Sequence, residues 1–228
     1  MLQPSPLKTQ SPSSITLFEN CPLQYAHRYI YKTLPFVETP QIKEGNDFHK
    51  AMYMRLGFGS TLSQKYSGFE VTCQALENLG GEMFCEEEIT VDREFREVDS
   101  VDKWTKGMLT NKLDVKIKFK KTRKAIIIDW KTGKPKDDPT QLLINTVSVL
   151  AAEPNIDTVT SIYAYTAYGT TSDPIRFDRK AEPKLREKLM EKIHRIDVAH
   201  GSGQFEPRPS GLCKQYCDVL SCPHNGKR

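Results

Sequence analysis

KLDVKIKFKKTRKAIIIDWKTGKPK, residues 112–136, holds two strand patterns back to back. Leu113, Val115, Ile117 and Phe119 alternate with polar residues, the period of a strand with one buried face, and Ala125–Trp130 is a near-continuous apolar run suited to a central strand. The two join through the basic segment Lys120–Lys124. Residues two apart in a strand share a face, so Asp129 and Lys131 point one way and Trp130 the other. Asp114 falls on the polar side of its strand. If the strands pair, Asp114 and Asp129 can meet at one divalent ion, with the Trp130 carbonyl in reach, and hard oxygen donors suit Mg²⁺ or Mn²⁺. Lys131 is then placed to stabilise charge developing on a phosphate or to orient an attacking water. A plain cross-strand Asp–Lys ion pair is the competing reading.

Working outward, MFCEEEITV at 83–91 reads as a weaker strand, and TVTSIYAYTAYG at 158–169 as a fourth, with Ile162 and Ala164 facing away from Tyr163 and Tyr165. Between the third and fourth, Asp138 and Pro139 start a helix, QLLINTVSVLAAE. On the N-terminal side, 44–57 and 61–79 have helical patterns, with Phe48, Met52 and Leu56 on one stripe and Leu76 and Leu79 on another. Ser13 or Ser14 can cap a first short helix, and Cys21-Pro22 starts a second, since Pro is comfortable in a helix's first turn. A last helix at about 181–199 precedes a Gly- and Pro-rich tail. The expected fold is α/β: helix, three strands, helix, strand, with N-terminal helices, a C-terminal helix and a Cys-rich tail. Residues 1–13 form a flexible lead-in and 14–228 a single domain.

The 228 residues carry a formal charge of +4, and 38% are hydrophobic, enough for a core and against wholesale disorder. No apolar run approaches the ~20 residues needed to cross a bilayer, and MLQPSPLKTQSPSS lacks the apolar stretch of a secretory signal. These features predict an intracellular protein without a membrane partner. Charge is segregated: residues 69–102 hold eleven acidic and two basic side chains, and 103–136 hold twelve basic and two acidic, the two being Asp114 and Asp129. Solvated strand faces are the bland explanation; a cationic surface around a small anionic point suits a polyanion and a metal.

Of six cysteines, Cys73 and Cys85 lie in helix- and strand-like segments as small hydrophobes. Cys213, Cys217 and Cys222 form C-x3-C-x4-C, a spacing that lets three thiolates wrap one centre, and Cys21 stands far upstream. Four such thiolates can bind iron–sulfur or zinc, with His224 as a spare ligand, or remain unligated.

The order of Asp114 and Asp129-x-Lys131, with SSITLFENCPLQYAHRYIYK, GNDFHKAM, KLDVKI, IIIDWKTGKPK, QLL and GQFEPRPSGLCKQYCDVLSC around them, resembles the PD-(D/E)XK nuclease superfamily and within it the RecB-like exonuclease branch. The resemblance runs from about residue 13 to 223. It implies a restriction-endonuclease-like core, His49 as a helix-borne metal ligand, Asp114 and Asp129 as metal carboxylates, Lys131 as the catalytic lysine, and Gln141 as the helix residue that places DNA or the lysine. Glu88 matches a commonly acidic position, although Glu86 and Glu87 adjoin it. The chain departs from the family in two places: Asn111-Lys112 stands where a Gly often precedes the first Asp, and Asn145 where a Tyr follows the Gln by four. The iron–sulfur members of the branch, CRISPR-associated and helicase-linked nucleases, bind a [4Fe–4S] cluster with one N-terminal and three C-terminal cysteines, usually spaced C-x2-C-x5-C. Carried over, this assigns Cys21, Cys213, Cys217 and Cys222 to a cluster, with zinc as the alternative.

The function these features imply is a metal-dependent DNA exonuclease acting on single strands or DNA ends in recombination, repair or DNA processing. The chain has no GxxxxGK[ST] loop, so a helicase or recombination partner is expected to be a separate polypeptide. The alternative is a non-catalytic nucleic-acid-binding module stapled by a zinc or iron–sulfur site.

Overall fold

A computed structural model describes residues 9–135 and 139–227. In chain order the elements are α1 (Pro12–Asn20), α2 (Pro22–Tyr25), a π-helical turn (Ala26–Ile30), α3 (Pro40–Phe58), α4 (Glu70–Glu77), β1 (Glu82–Val91), α5 (Lys103–Lys106), β2 (Leu109–Phe119), β3 (Lys124–Lys131), α6 (Thr140–Ala152), β4 (Thr158–Tyr165), β5 (Thr170–Thr171), β6 (Ile175–Asp178) and α7 (Glu182–Ser202). The mixed α/β architecture is the one expected. Internal contacts divide the chain into two compact units: Glu38–Leu185, and the residues up to Val37 with those from Arg186 onward.

The Glu38–Leu185 unit is built on a six-stranded sheet ordered β1-β2-β3-β4-β5, with β6 also paired to β4. β1–β2 and β2–β3 are antiparallel, and β3–β4 is parallel with α6 as the crossover. One face carries α3 and α4, whose Phe48, Met52 and Cys73 pack with Tyr66 against Val115, Ile117, Ile128 and Trp130. Burying each large apolar side chain of this set contributes on the order of 2 kcal/mol. α6 covers the other face and is buried along most of its length, with Leu142, Ile144, Val147, Val149 and Leu150 in the core and the polar Asn145 and Thr146 hydrogen-bonded to Asn111 and Ser161.

Local signals account for most boundaries. α3 begins earlier than the pattern at 44–57, because the Thr39 side chain accepts the Ile42 N–H and Pro40 occupies the first turn. It ends at Gly59 in the left-handed conformation (φ 68°). The helix expected over 61–79 divides into a 3-10 turn, Gln64–Phe69, and α4, and Leu79 on its second stripe is exposed. In α1 the cap is Ser11, which accepts the Ser14 N–H while Ser14 Oγ accepts the Ser11 N–H. Of the pair expected to start α6, Asp138 lies outside the described residues. β5, β6 and α5 have no counterpart in the sequence reading, being only two to four residues long.

The charge runs are largely paired across β1 and β2. Lys116 bridges Glu87 and Glu153, Lys118 reaches Glu153, Lys120 pairs with Glu82, Lys103 with Glu88, and Lys112 with Glu86. Much of the cationic surface anticipated from composition is thereby neutralised.

In the other unit, α1, α2 and α7 surround Tyr25, whose ring contacts Phe18, His200 and Phe205. Burial pushes its hydroxyl up to about 12, and it donates to Gln10. Lys192 and Arg195 of α7 both bind Glu19 of α1 at 2.5 Å. Among the described residues no helix is long and apolar enough to cross a membrane.

Candidate metal centre and active site

The site begins with a shared irregularity in β1 and β2. Cys85 pairs with Val115 and Glu87 with Leu113, so the register is the same on both sides of Glu86 and Asp114, yet that rung itself is not bridged and Glu86 adopts φ 56°. In a regular strand an odd separation puts two side chains on opposite faces. Here Asn111 and Lys116, five apart, both reach α6 or its C-cap, through Asn145 and Glu153. On β1, Glu87 meets the Lys116 ammonium, which also lies 4.5 Å from the centre of the Phe84 ring, three residues away. Both strands therefore turn over at the Glu86–Asp114 rung. Asp114 is freed from the alternation and can reach α3.

His49 Nδ1 lies 3.0 Å from Asp114 Oδ1, and Asp114 Oδ2 accepts the Trp130 backbone N–H at 2.8 Å. Donor atoms of His49, Glu86 and Asp114 all lie within 4.8 Å of one another, forming among the described residues the single cluster of at least three His, Cys, Asp or Glu donors this close. Gly45 of α3 packs closely on the residue that follows β3: a Cβ there would sit 3.3 Å from Thr132 Oγ1.

Asp129 and Lys131 form the adjoining half. Lys131 Nζ is 2.5 Å from Asp129 Oδ2 and donates to Gln141 Oε1 at 2.6 Å, while Gln141 Nε2 donates to Asp129 Oδ1 at 2.7 Å. The amide of Gln141 thus joins the carboxylate and the ammonium from the first turn of α6. The Tyr163 ring, opposite Asp129 on β4, lies 5.2 Å from Lys131 Nζ. Trp130 points the other way, into the core against Phe48.

Electrostatics tie the halves together. Burial raises the Asp129 carboxyl to about 6; Lys131 pulls it down and the Asp114 charge pushes it up. Asp129 Oδ2 is buried, and its partner is the Lys131 ammonium. Burial favours the neutral form of His49, but the hydrogen bond to Asp114 and the charges of Asp114, Asp129 and Glu86 outweigh it, holding the ring above its usual range.

Of the residues expected to carry the chemistry, His49 and Asp114 lie in the three-donor cluster, whereas Asp129 lies outside it, held with Lys131 and Gln141 in the neighbouring group whose charge it shares with Asp114 and His49. The structure adds Glu86, which the run Glu86–Glu88 could not single out; Glu88 is engaged with Lys103 instead. The two departures from the family pattern meet each other: Asn111 Nδ2 donates to Asn145 Oδ1 at 3.1 Å in a fully buried pair.

The other cysteine-bearing region lies in the terminal unit. Cys21, Cys213 and Cys217 line one cavity of about 70 Å³, and Cys217 and Cys222 pack with Val219 in a small core. Burial raises the Cys217 thiol, and the neighbouring Cys213, Cys21 and Cys222 add to the shift. The Arg208 N–H points at Cys21 Sγ (3.5 Å) and the Ser210 N–H at Cys213 Sγ (3.4 Å). Asn225 and Gly226 hold the tail around these thiols. Asn225 Nδ2 donates to the Cys217 and Val219 carbonyls, and a Cβ at Gly226 would approach Lys214 Cα to 2.8 Å. His224 is exposed and does not line the cavity. Cys73 and Cys85 lie apart, on α4 and β1.

The family model of the PD-(D/E)XK nuclease superfamily matches residues 9–222. Solved structures also match, among them the crystal structure of SSO0001, at 15% identity and a TM-score of 0.43, covering 94% of this chain and 85% of that one. No curated protein matches.

Proposed function

The chain belongs to the PD-(D/E)XK nuclease superfamily, and from that premise we propose that it is a DNA exonuclease whose active site is His49, Glu86, Asp114, Asp129, Lys131 and Gln141. The family makes it a metal-dependent nuclease, a phosphodiester hydrolase acting on nucleic acid. The observation that supports the assignment is the three-donor cluster and, next to it, the Asp129–Lys131–Gln141 group, joined through the Trp130 N–H bound to Asp114 and the mutual influence of the Asp114, His49 and Asp129 charges.

The residues fit a hard divalent ion, Mg²⁺ or Mn²⁺: the clustered donors are an imidazole nitrogen and carboxylate oxygens, and the neighbouring Asp129 adds a buried carboxylate whose Oδ2 is paired with Lys131. His49, Glu86 and Asp114 would hold the ion together with Asp129 and the Trp130 carbonyl. When bound, such an ion polarises a phosphoryl oxygen and makes its water a nucleophile at neutral pH. Asp114 is kept in place by the Trp130 N–H and by His49. Lys131, held between Asp129 and Gln141, would stabilise the negative charge that develops on the phosphoryl group or orient the attacking water. Gln141 keeps both partners in one orientation.

Cys21, Cys213, Cys217 and Cys222 are assigned to a [4Fe–4S] cluster. Three of them line one cavity, and backbone N–H groups aimed at Cys21 and Cys213 suit thiolate ligands. The cluster's part is structural, fixing the tail to the α1–α2 junction.

Digestion of linear single-stranded, linear duplex and covalently closed circular DNA with Mg²⁺ or Mn²⁺ tests the exonuclease reading. Linear substrates are expected to shorten from their ends and circles to survive; cleavage of circles would make the enzyme an endonuclease.

A further inference from the structure

We infer that Tyr163 is a positioning residue for Lys131, its ring face holding the ammonium so that one of the three N–H donors stays free for the substrate phosphate or the attacking water. The inference rests on the nuclease reading above and adds a residue to that same site.

An ammonium has three donors and no acceptor. Two of those on Lys131 are engaged, with Asp129 Oδ2 at 2.5 Å and Gln141 Oε1 at 2.6 Å. A further oxygen beside Nζ would take the third donor. An aromatic face attracts the cation through its quadrupole and asks for no hydrogen bond, and Nζ lies over the Tyr163 ring, 5.2 Å from its centre. The Lys131 side chain is 33% exposed, so its charge is open to a ligand.

The fold presets the ring. Tyr163 stands opposite Asp129 on the parallel strand β4, and Lys131, two residues beyond Asp129, shares its face of the sheet. The ammonium leans back to that rung, where it meets the carboxylate of one strand and the ring of the other. The main chain of Tyr163 is clamped: its N–H donates to Ser172 Oγ at 3.0 Å, and its carbonyl accepts the Ser172 N–H at 2.9 Å. The ring is 6% exposed and packs with Tyr165 and with Leu142, the neighbour of Gln141 on α6. One ring thus touches both the helix that carries Gln141 and the lysine that Gln141 binds. For packing alone, another apolar side chain of similar volume would serve. Only an aromatic one also gives the ammonium a partner that takes no proton from it.

The test separates the charge distribution of the ring from its volume. Single-turnover cleavage of labelled DNA in Mg²⁺ or Mn²⁺ is measured for the full-length protein, for Tyr163→Phe, for Tyr163→Leu, and for protein carrying pentafluorophenylalanine at position 163. Fluorination keeps the ring's shape and reverses the sign of its face, and neither it nor phenylalanine carries the hydroxyl. Tyr163→Phe is expected to keep the rate within about threefold, and Tyr163→Leu and the pentafluoro protein to lose about tenfold. The metal concentration for half-maximal rate is expected to stay near wild type in all three, because Lys131 does not bind the ion. In a Lys131→Ala background, Tyr163→Leu is expected to lose nothing further. A pentafluoro protein as fast as Tyr163→Phe, or a Tyr163→Leu loss of equal size with and without Lys131, would overturn the inference and leave the ring a packing role. Failure of the nuclease reading would show separately, as absence of metal-dependent cleavage by the wild-type protein.

Discussion

Glu86 stands opposite Asp114 at the unbridged rung where β1 and β2 both turn over, and the two carboxylates share their space with His49. Glu88, two residues on, faces Lys112 in an ordinary ladder and binds Lys103. This difference predicts that Glu86→Gln raises the Mn²⁺ concentration for half-maximal cleavage by tenfold or more, while Glu88→Gln shifts it less than about twofold. A metal titration of cleavage rate reads both, and equal shifts would remove Glu86 from the centre.

Gln141 touches Lys131 and Asp129 with the two ends of one amide. Its removal leaves both charges in place but unrestrained, so Gln141→Ala should lower the single-turnover rate by about 10–100-fold. Thermal melting is expected to change little, because the side chain sits at the edge of α6 and fills no core position. An unchanged rate would assign the amide a packing role only.

The fold was legible where the period of the sequence was clean. The alternation at Val115–Phe119, the apolar run Ala125–Trp130 and the buried helix after them gave the sheet centre and its crossover, because each pattern reports burial on a known period; Leu113, before the turnover at Asp114, falls on the other face. The turnover at Glu86 and Asp114 was not legible: it is a property of two strands in register, and Glu86–Glu88 gave one strand's residues without their partners. Charge segregation described a pair of strands that neutralise each other as much as an exterior surface, a distinction that depends on which lysine meets which glutamate. The roles of Asn225 and Gly226 rest on close tail contacts for which neither residue carries a motif.

Lys116 is 1% exposed and held by Glu87 and Glu153. Burial would raise the Glu153 carboxyl, but hydrogen bonds from Lys116 and Lys118 outweigh it and hold the group below its ordinary 4.5. A folded-state value below the unfolded one stabilises the protein above the unfolded pKa, and the gain is lost as pH falls through the folded value. Glu153→Gln should therefore cost about 2 kcal/mol at pH 7 and flatten the fall in stability below pH 4.5. Urea denaturation of both proteins at pH 7 and pH 4 measures this, and parallel pH dependence would contradict it.

The sulfur site predicts separate outcomes for the two sets of cysteines. Cys21→Ser and Cys217→Ser should lose bound iron together with up to ~5 kcal/mol of stability, the order of magnitude for releasing a closure this long. Cys73→Ala should keep the iron and pay only for its own packing. Iron and sulfide near four per chain in anaerobically purified protein support the cluster; one zinc per chain would replace it.

The central claim is that Asp114 and Lys131 act in one metal-dependent site on DNA. Its most direct measurement is the rate of Mg²⁺- or Mn²⁺-dependent cleavage of labelled DNA by wild type, Asp114→Asn and Lys131→Ala, each shown by circular dichroism to be folded. Wild type is expected to cleave only with metal, and each variant to lose on the order of 10²–10³-fold or more. Wild-type rates in either folded variant, or cleavage by wild type that persists undiminished in EDTA, would contradict the account.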